Sequence, residues 1–267
     1  MRLYLKILCK ERAFILKKID IVSKDRRFAY AKELFDKQGY LCNICDVDAV
    51  DRPDAVALSP RQELTDNELI RLASRLREDT VIFTGQGNKL QPFFGGRVID
   101  YSENEAFLLK NAYITALCGV KLTLDRLSCP LLGKKALVIG YGRIGKYLSS
   151  MLKGLGASVC IYARREESRA DAYLNGMRIL DELSENSVES LDLVYNTVPY
   201  RIVSRGVSNA IPRDAIIMEL ASAPGGFEDD SGVIKAPALP GRMMPEAAGK
   251  AIFDLIHSFL TQGTKGQ

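Results

Sequence analysis

Three glycines at the end of an apolar run constrain this chain more than any other feature. Ala136-Leu-Val-Ile-Gly-Tyr-Gly-Arg-Ile-Gly145 places Gly140, Gly142 and Gly145 in G-x-G-x-x-G spacing. In such a turn the first glycine permits the tight bend. The second lets backbone approach a pyrophosphate, and the third lets the helix pack close to the strand. The helix N-terminus then offers N–H groups and a partial positive charge to phosphates. Glycine-rich turns are common, so the flanks decide. Ala136 to Ile139 reads as a short buried strand. Ile144, Leu148, Met151, Leu152 and Leu155 recur at helical spacing, and Gly156 stops the helix. Ser158-Val-Cys-Ile-Tyr162 reads as the next strand, which completes a βαβ unit of nucleotide-binding length.

The remaining pattern also alternates. Strands are expected at 19–23, 40–45, 54–58 and 80–84, with a helix over 26–37. A second helix starts at Thr65, whose Glu68 three residues on forms a capping box. A long helix spans about 103–127, with Ala106, Leu109, Tyr113, Ala116, Leu117, Val120, Leu124 and Leu127 as its apolar face. Further strands are expected at 191–196, 215–220 and within 231–239, with Pro240-Gly241 as a turn. Pro245 suits the first position of a final helix. This is an α/β chain: a doubly wound parallel-sheet Rossmann domain plus a smaller N-terminal α/β domain, joined by long helices. The expected division is an extension at 1–18, a substrate-side α/β domain at 19–102 and a linking helix at 103–128. The dinucleotide-binding domain follows at 129–244, and a C-terminal helix and tail at 245–267. Ligands of open α/β sheets lie outside the carboxyl ends of the strands. The loops at 140–145, 163–168, 196–200 and 221–226 are therefore expected to share one cleft beside the long helix.

Bulk properties exclude several classes. A hydrophobic fraction of 47% supports a globular core, and a net charge of +4 is mild. No basic tract interleaved with aromatics points to nucleic acid, and no uninterrupted apolar run is expected to span a membrane. Met1 to Lys18 is basic and apolar but lacks the continuous core and cleavage site of a secretory signal. The six cysteines at 9, 42, 45, 118, 129 and 160 read as buried free thiols of a reducing cytoplasm. Cys42 and Cys45 have no second pair to complete a zinc site, so no metal is expected. His257, the only histidine, lies deep in the last helical pattern and reads as structural. A reaction that avoids strong acid/base work at a hydroxyl fits such a chain, and a ring dehydrogenation is one.

The second strand of the βαβ unit selects the nucleotide. An NAD site carries Asp or Glu at that strand end, about 20 residues past the glycines. Here Ala163-Arg164-Arg165 stand there instead, and Glu166 and Glu167 follow. Two guanidiniums suit a 2′-phosphate, and Ser168 adds a hydrogen bond. NADP is expected, with NAD as the alternative. Gly140, Tyr141, Gly142, Arg143, Ile144 and Gly145 are expected to line the pyrophosphate. Asn196, Thr197, Val198 and Pro199 are expected to cover the nicotinamide ribose, with Ala221 and Ser222 completing the cofactor site.

Longer stretches carry a resemblance. Val194-Tyr-Asn-Thr-Val-Pro199, Glu219-Leu-Ala-Ser-Ala-Pro-Gly-Gly226, Ala238-Leu-Pro-Gly241 and Pro245-Glu-Ala-Ala-Gly249 resemble the dipicolinate synthase A subunit family. Val81-Ile-Phe-Thr-Gly85 and Asn111-Ala-Tyr-Ile-Thr-Ala116 do so too. The similarity runs from about Ile19 to Leu260, within the wider D-2-hydroxyacid dehydrogenase-like group. It implies oxidation of a dihydrodipicolinate-type ring to dipicolinate with NAD(P), in the cytoplasm of the mother cell of spore-forming bacteria. It further implies a small dicarboxylate substrate, a partner in the form of a flavoprotein-like B subunit, and a homo-oligomer. Candidate substrate residues are Asn111, Thr115, Ser222, Pro224, Gly225, Gly226 and Arg242, with Arg242 as the cation. Two departures stand out. Thr115-Ala-Leu-Cys-Gly119 lacks the Glu of the family's Thr-Ala-Glu-Gly, and the stretch between Val56 and Thr65 is short. A 2-hydroxyacid dehydrogenase-like reductase and a non-catalytic nucleotide-binding subunit remain the alternative readings.

Overall fold

The computed structural model describes residues 17–60 and 64–262. The expectations for residues 1–16, Cys9 among them, and for the tail after 262 lie outside these. The described elements run β1 (Lys18–Val22), α1 (Arg27–Lys37), β2 (Leu41–Ile44), β3 (Ala55–Leu58), α2 (Asp66–Ser74), β4 (Val81–Thr84), α3 (Gly87–Phe94), β5 (Val98–Asp100) and α4 (Glu105–Leu124). Then come β6 (Lys135–Ile139), α5 (Arg143–Gly154), β7 (Ser158–Tyr162), α6 (Glu166–Leu174), β8 (Arg178–Ile179), α7 (Glu185–Val188) and β9 (Leu193–Asn196). The last are α8 (Arg205–Ala210), β10 (Ile216–Glu219), β11 (Ile234–Lys235), α9 (Leu239–Met243) and α10 (Pro245–Gln262). Asn111–Met244 forms one compact unit, and the described residues before and after it form another. The division falls inside α4, and α10 belongs to the N-terminal unit.

The N-terminal unit holds a parallel sheet in the order β2-β1-β3-β4-β5. Its strands are apolar on both faces because helices cover both. On one face Ile19, Ile21, Ala55 and Ala57 meet Phe28, Ala31 and Phe35 of α1 and Ile252 and Ile256 of α10. On the other, Val22, Val56 and Leu58 meet Leu69 and Leu72 of α2 and Leu90 and Phe94 of α3. The capping box at α2 is present: Glu68 N–H donates to Thr65 Oγ1 at 3.3 Å, and Thr65 N–H to Glu68 Oε2 at 2.8 Å. Lys18, assigned above to the extension, is the first residue of β1 and pairs with Leu41. Helix α3 and strand β5 are not among the expected elements. Pro92 stands inside α3, and Gly87 N–H, donating to Asp100 Oδ2 at 2.6 Å, ties the helix to the end of β5.

The second unit holds a parallel sheet in the order β11-β10-β9-β6-β7-β8. Read from β8 this is the 3-2-1-4-5-6 order of a doubly wound dinucleotide-binding sheet, with its switch point between β6 and β9. Leu137, Ile139, Val194 and Ile217 pack with Val188, Val203, Val207 and Phe227 on one side. Thr123 Oγ1 and the Tyr195 hydroxyl share a buried hydrogen bond of 2.7 Å, and burial pushes the Tyr195 phenol up to about 12. Pro240 and Gly241 form no simple turn. They lie inside α9, which starts after Ala238 at φ +55°.

Helix α4 departs from its expected face. Leu109, Tyr113 and Leu124 are exposed, while Phe107, Ala112, Ile114, Thr115, Ala116, Cys118 and Val120 are buried. The helix is apolar nearly all round, so spacing alone could not choose the face. Its 20 residues are long and apolar enough to cross a bilayer by length and composition, though Lys110 and Lys121 interrupt the run and half of its most apolar window is buried within the fold.

Of the described thiols, Cys42 and Cys118 are buried, Cys45 and Cys160 half-buried and Cys129 exposed, so Cys129 departs from the buried reading. Burial pushes the Cys42 thiol up to about 12 and those of Cys45 and Cys118 to about 11. Among the described residues no three His, Cys, Asp or Glu side chains gather in a metal-binding group.

Two outcomes follow from this packing. Among the described thiols, Cys129 reacts first with a disulfide reagent at pH 8, because the thiolate is the nucleophile and Cys42 is almost wholly protonated there. Peptide mapping after brief labelling checks it. Helix α10 crosses α1 at Gly249, where a Cβ would lie 2.4 Å from the Arg27 carbonyl oxygen. Alanine gains up to about 1 kcal/mol of helix propensity there. Overlap with backbone costs about 1–3 kcal/mol and wins. Gly249→Ala is expected to lower the urea unfolding midpoint.

Candidate nucleotide-binding site

The βαβ turn is locked by three close approaches. Gly140 has φ +96°, a conformation that L side chains rarely adopt, and a Cβ on it would lie 2.5 Å from Thr197 Oγ1. A Cβ on Gly145 would lie 2.2 Å from the Gly140 carbonyl oxygen, so α5 starts directly against the end of β6. Thr197 completes the lock: its N–H and its hydroxyl both donate to the Ile139 carbonyl at 2.9 Å. Gly142, the N-cap of α5, is the exception. Nothing stands within 4 Å of its Cβ position, and no side chain caps the helix. The N-terminal end of α5 thus borders open space at Gly142, the arrangement a pyrophosphate requires.

That space is one end of a groove of roughly 270 Å³ at the carboxyl ends of β6, β7 and β9. Gly140, Tyr141 and Gly142 line it from the turn, and Tyr162, Ala163, Arg164, Arg165 and Ser168 from β7 and α6. Thr197, Val198, Pro199, Tyr200 and Ile202 line it from the segment after β9. Its described lining has two guanidiniums and no carboxylate. Burial raises the Tyr141 phenol above its ordinary range, and Lys146 Nζ sits 5.7 Å from that ring centre. Arg164 carbon Cζ lies 4.4 Å from the centre of the Tyr200 ring, and a guanidinium N–H donates to the Tyr200 hydroxyl. The residue types thus fit a nicotinamide dinucleotide: backbone N–H groups for phosphates, guanidiniums at the ribose end and apolar Val198, Pro199 and Ile202 as walls.

Ten of the sixteen expected cofactor residues line this groove; the others do not. Arg143 and Ile144 open α5, and Gly145 is buried beneath the turn. Asn196 is fully buried and works on the protein itself. Its side-chain N–H groups donate to the Val198 carbonyl at 2.8 Å and Glu219 Oε1 at 2.7 Å, and its Oδ1 accepts from Val198 N–H at 3.1 Å. Glu219 is the hub of the next loop. Oε1 also accepts from Ala221 N–H at 3.0 Å, and Oε2 accepts from Gly226 N–H at 2.7 Å. Gly225 and Gly226 are therefore packing positions rather than an open floor: a Cβ would meet Glu219 Oε2 at 2.8 Å and the Asn196 side chain at 2.5 Å respectively. Ala221, Pro224 and Gly225 line a second cavity of roughly 300 Å³, with Arg201 beside them. Ser222 is exposed and lines neither.

Of the expected substrate residues, Asn111, Thr115, Ser222, Gly226 and Arg242 line neither cavity. Thr115 Oγ1 donates to the Asn111 carbonyl at 2.7 Å, a bond within α4. Arg242 is exposed on α9 and lines neither cavity. His257 belongs to the N-terminal unit, where Nδ1 lies 2.8 Å from the Tyr40 hydroxyl and the ring stacks on Phe253. Sequence reading missed Tyr200, Glu219 and Arg201 as side chains with a role. Tyr200 directly follows the Asn-Thr-Val-Pro stretch, and Glu219 ends a strand, where ligand loops begin; those were the available signals.

Residues 122–223 match the family of D-isomer specific 2-hydroxyacid dehydrogenase NAD binding domains. The chain is 26% identical over 194 residues to the dipicolinate synthase A protein of Bacillus subtilis (strain 168), across 68% of this chain and 65% of that protein. The match thus spans just under two thirds of that relative's length. The crystal structure of the dipicolinate synthase A chain from Bacillus subtilis superposes with a TM-score of 0.79 at 20% identity, covering 95% of this chain and 99% of that one. The D-lactate dehydrogenase of Escherichia coli superposes with a TM-score of 0.62 at 14% identity, covering 92% and 97%. The resemblance to the dipicolinate synthase A family therefore stands, with the α/β fold shared more widely and a domain that takes a nicotinamide cofactor.

The glycines separate experimentally. Gly142→Ala fits the extended backbone and open space there, so its cost in unfolding free energy is expected to be only the roughly 1 kcal/mol or less that alanine loses to glycine as an N-cap. Its added methyl group occupies the pyrophosphate space and is expected to weaken dinucleotide binding about tenfold or more. Gly145→Ala is expected to destabilise by about 1–3 kcal/mol through overlap with the Gly140 carbonyl. Urea titration and nucleotide fluorescence read the two effects.

Proposed function

We propose that this chain is an NADP(H)-dependent oxidoreductase of the dipicolinate synthase A type, oxidising a dihydrodipicolinate-type ring dicarboxylate to dipicolinate. The observation that carries the reading is the groove lining: an open Gly142, uncapped N–H groups on α5, and Arg164 and Arg165 where an NAD site would hold a carboxylate. The bound nicotinamide supplies the hydride acceptor. The chain's own part is to seat the pyrophosphate on the α5 turn, to meet the ribose phosphate with its two arginines, and to wall the nucleotide with Val198, Pro199 and Ile202. A dihydropyridine ring that loses a hydride and a proton becomes aromatic, so the step draws on no strong base aimed at a hydroxyl.

His257 favours this reading over a 2-hydroxyacid dehydrogenase. Such an enzyme needs a His–carboxylate pair at the substrate, and this histidine is engaged with Tyr40 and Phe253. On the substrate side, Ser222 is exposed beside a loop held rigid by Glu219, and it is the donor we favour. The reading extends to a partner, the flavoprotein-like B subunit, and to the cytoplasm of a sporulating mother cell, both taken from the resemblance. The absent Glu in Thr115-Ala-Leu-Cys-Gly119 supports one rival, a nucleotide-binding subunit without turnover.

Titration of the purified chain with NADPH and NADH tests the cofactor. NADPH is expected to bind about tenfold tighter or better, as charge-assisted hydrogen bonds to one phosphate allow. Arg164→Ala is expected to remove most of that difference, and equal wild-type affinities would overturn the choice of NADP. Ring oxidation is assayed by absorbance with and without the flavoprotein-like partner. Saturable NADPH binding with no turnover in either case would replace the enzyme by the nucleotide-binding subunit.

A further inference from the structure

We infer that Tyr200 is a specificity-determining residue of the nucleotide groove, holding the Arg164 guanidinium as a ready receptor for a phosphate monoester on the adenosine ribose. The inference rests on the nucleotide reading above and adds a residue to it. Arg164 stands at the end of β7 and Tyr200 follows β9, so the two reach each other from different walls of one groove. Their contact is double: the guanidinium carbon lies 4.4 Å over the ring centre, and one of its N–H groups donates to the phenol oxygen.

Both side chains are exposed. A solvent-exposed arginine otherwise samples many rotamers, and stacking on an aromatic face narrows that choice before any ligand arrives. Guanidinium has five N–H donors, so the bond to Tyr200 leaves four. A phosphate monoester takes two of them side by side, in the fork geometry that only arginine offers. A bare ribose hydroxyl presents no charge and no pair of equivalent oxygens for the fork, so it gains little from the prepositioned cation. No carboxylate lines the described groove to compete for Arg164. Tyr200 therefore acts through Arg164, as a positioning residue, and its effect falls on the phosphorylated nucleotide.

The full chain is titrated with NADPH and with NADH as wild type, Tyr200→Ala, Tyr200→Phe and Arg164→Ala. Thermal unfolding confirms that each variant folds; Tyr200 is 40% exposed, so its removal leaves the core intact. Tyr200→Ala is expected to weaken NADPH binding by roughly three- to tenfold, the scale of one lost cation–π contact with its hydrogen bond, while NADH changes by less than about twofold. Tyr200→Phe keeps the stacking and loses the hydroxyl, and is expected to fall between. Equal weakening of both nucleotides in Tyr200→Ala would make the ring a wall for adenine and overturn the inference. So would an unchanged NADPH preference in Tyr200→Ala alongside its loss in Arg164→Ala, which leaves the NADP reading standing. A wild type without preference would remove both together.

Discussion

Everything at the nucleotide site depends on how closely two backbones approach at the end of β6. Gly145 sits under the Gly140 carbonyl with no room for a Cβ, and Gly140 presses against Thr197. Strand, helix and the segment after β9 are thereby fixed at one point, at the switch point of the sheet. Fixing them there exposes the one glycine of these three that nothing crowds. Gly142 stays open because its neighbours are closed, and the uncapped start of α5 faces the same space. A generic glycine signature thus separates into two packing positions and one open position, a distinction that spacing alone does not make.

The loop after β10 shows a related economy. Asn196 and Glu219 end adjacent strands, and together they occupy the backbone groups of Val198, Ala221 and Gly226. Buried polar groups are costly unless every one is paired, and a fully paired set holds one conformation. The Leu-Ala-Ser-x-Pro-Gly-Gly signature therefore reads as a frame for the loop. Charge at the groove falls mainly to two exposed arginines, where salt screens it and geometry matters more than depth.

Much of the fold was legible because it was repetitive. The β6-α5-β7 unit, the capping box at Thr65 and the start of α10 at Pro245 follow from local chemistry that tertiary contacts did not override. Helix α3 and strand β5 were hidden: a proline and four glycines crowd residues 85–96, yet Leu90 and Phe94 bury themselves against the sheet and Asp100 secures the helix start. The face of α4 was hidden for the opposite reason, since a helix apolar nearly all round carries no directional signal. At the site, the residues next to the glycines and at the end of β7 line one groove, as their place at neighbouring strand ends suggests. Asn196, Gly225 and Gly226 looked like ligand positions because they lie in ligand loops, and their partners, Glu219 above all, are distant in sequence. The pairing of Arg164 with Tyr200 joins two strand ends and has no local pattern at all.

A crystal structure of this chain grown with NADPH tests the nucleotide site most directly. The pyrophosphate is expected against the N–H groups of the first α5 turn above Gly142, and the 2′-phosphate within hydrogen-bond distance of Arg164. A nucleotide bound elsewhere, or one whose 2′-phosphate points away from β7, would contradict that placement.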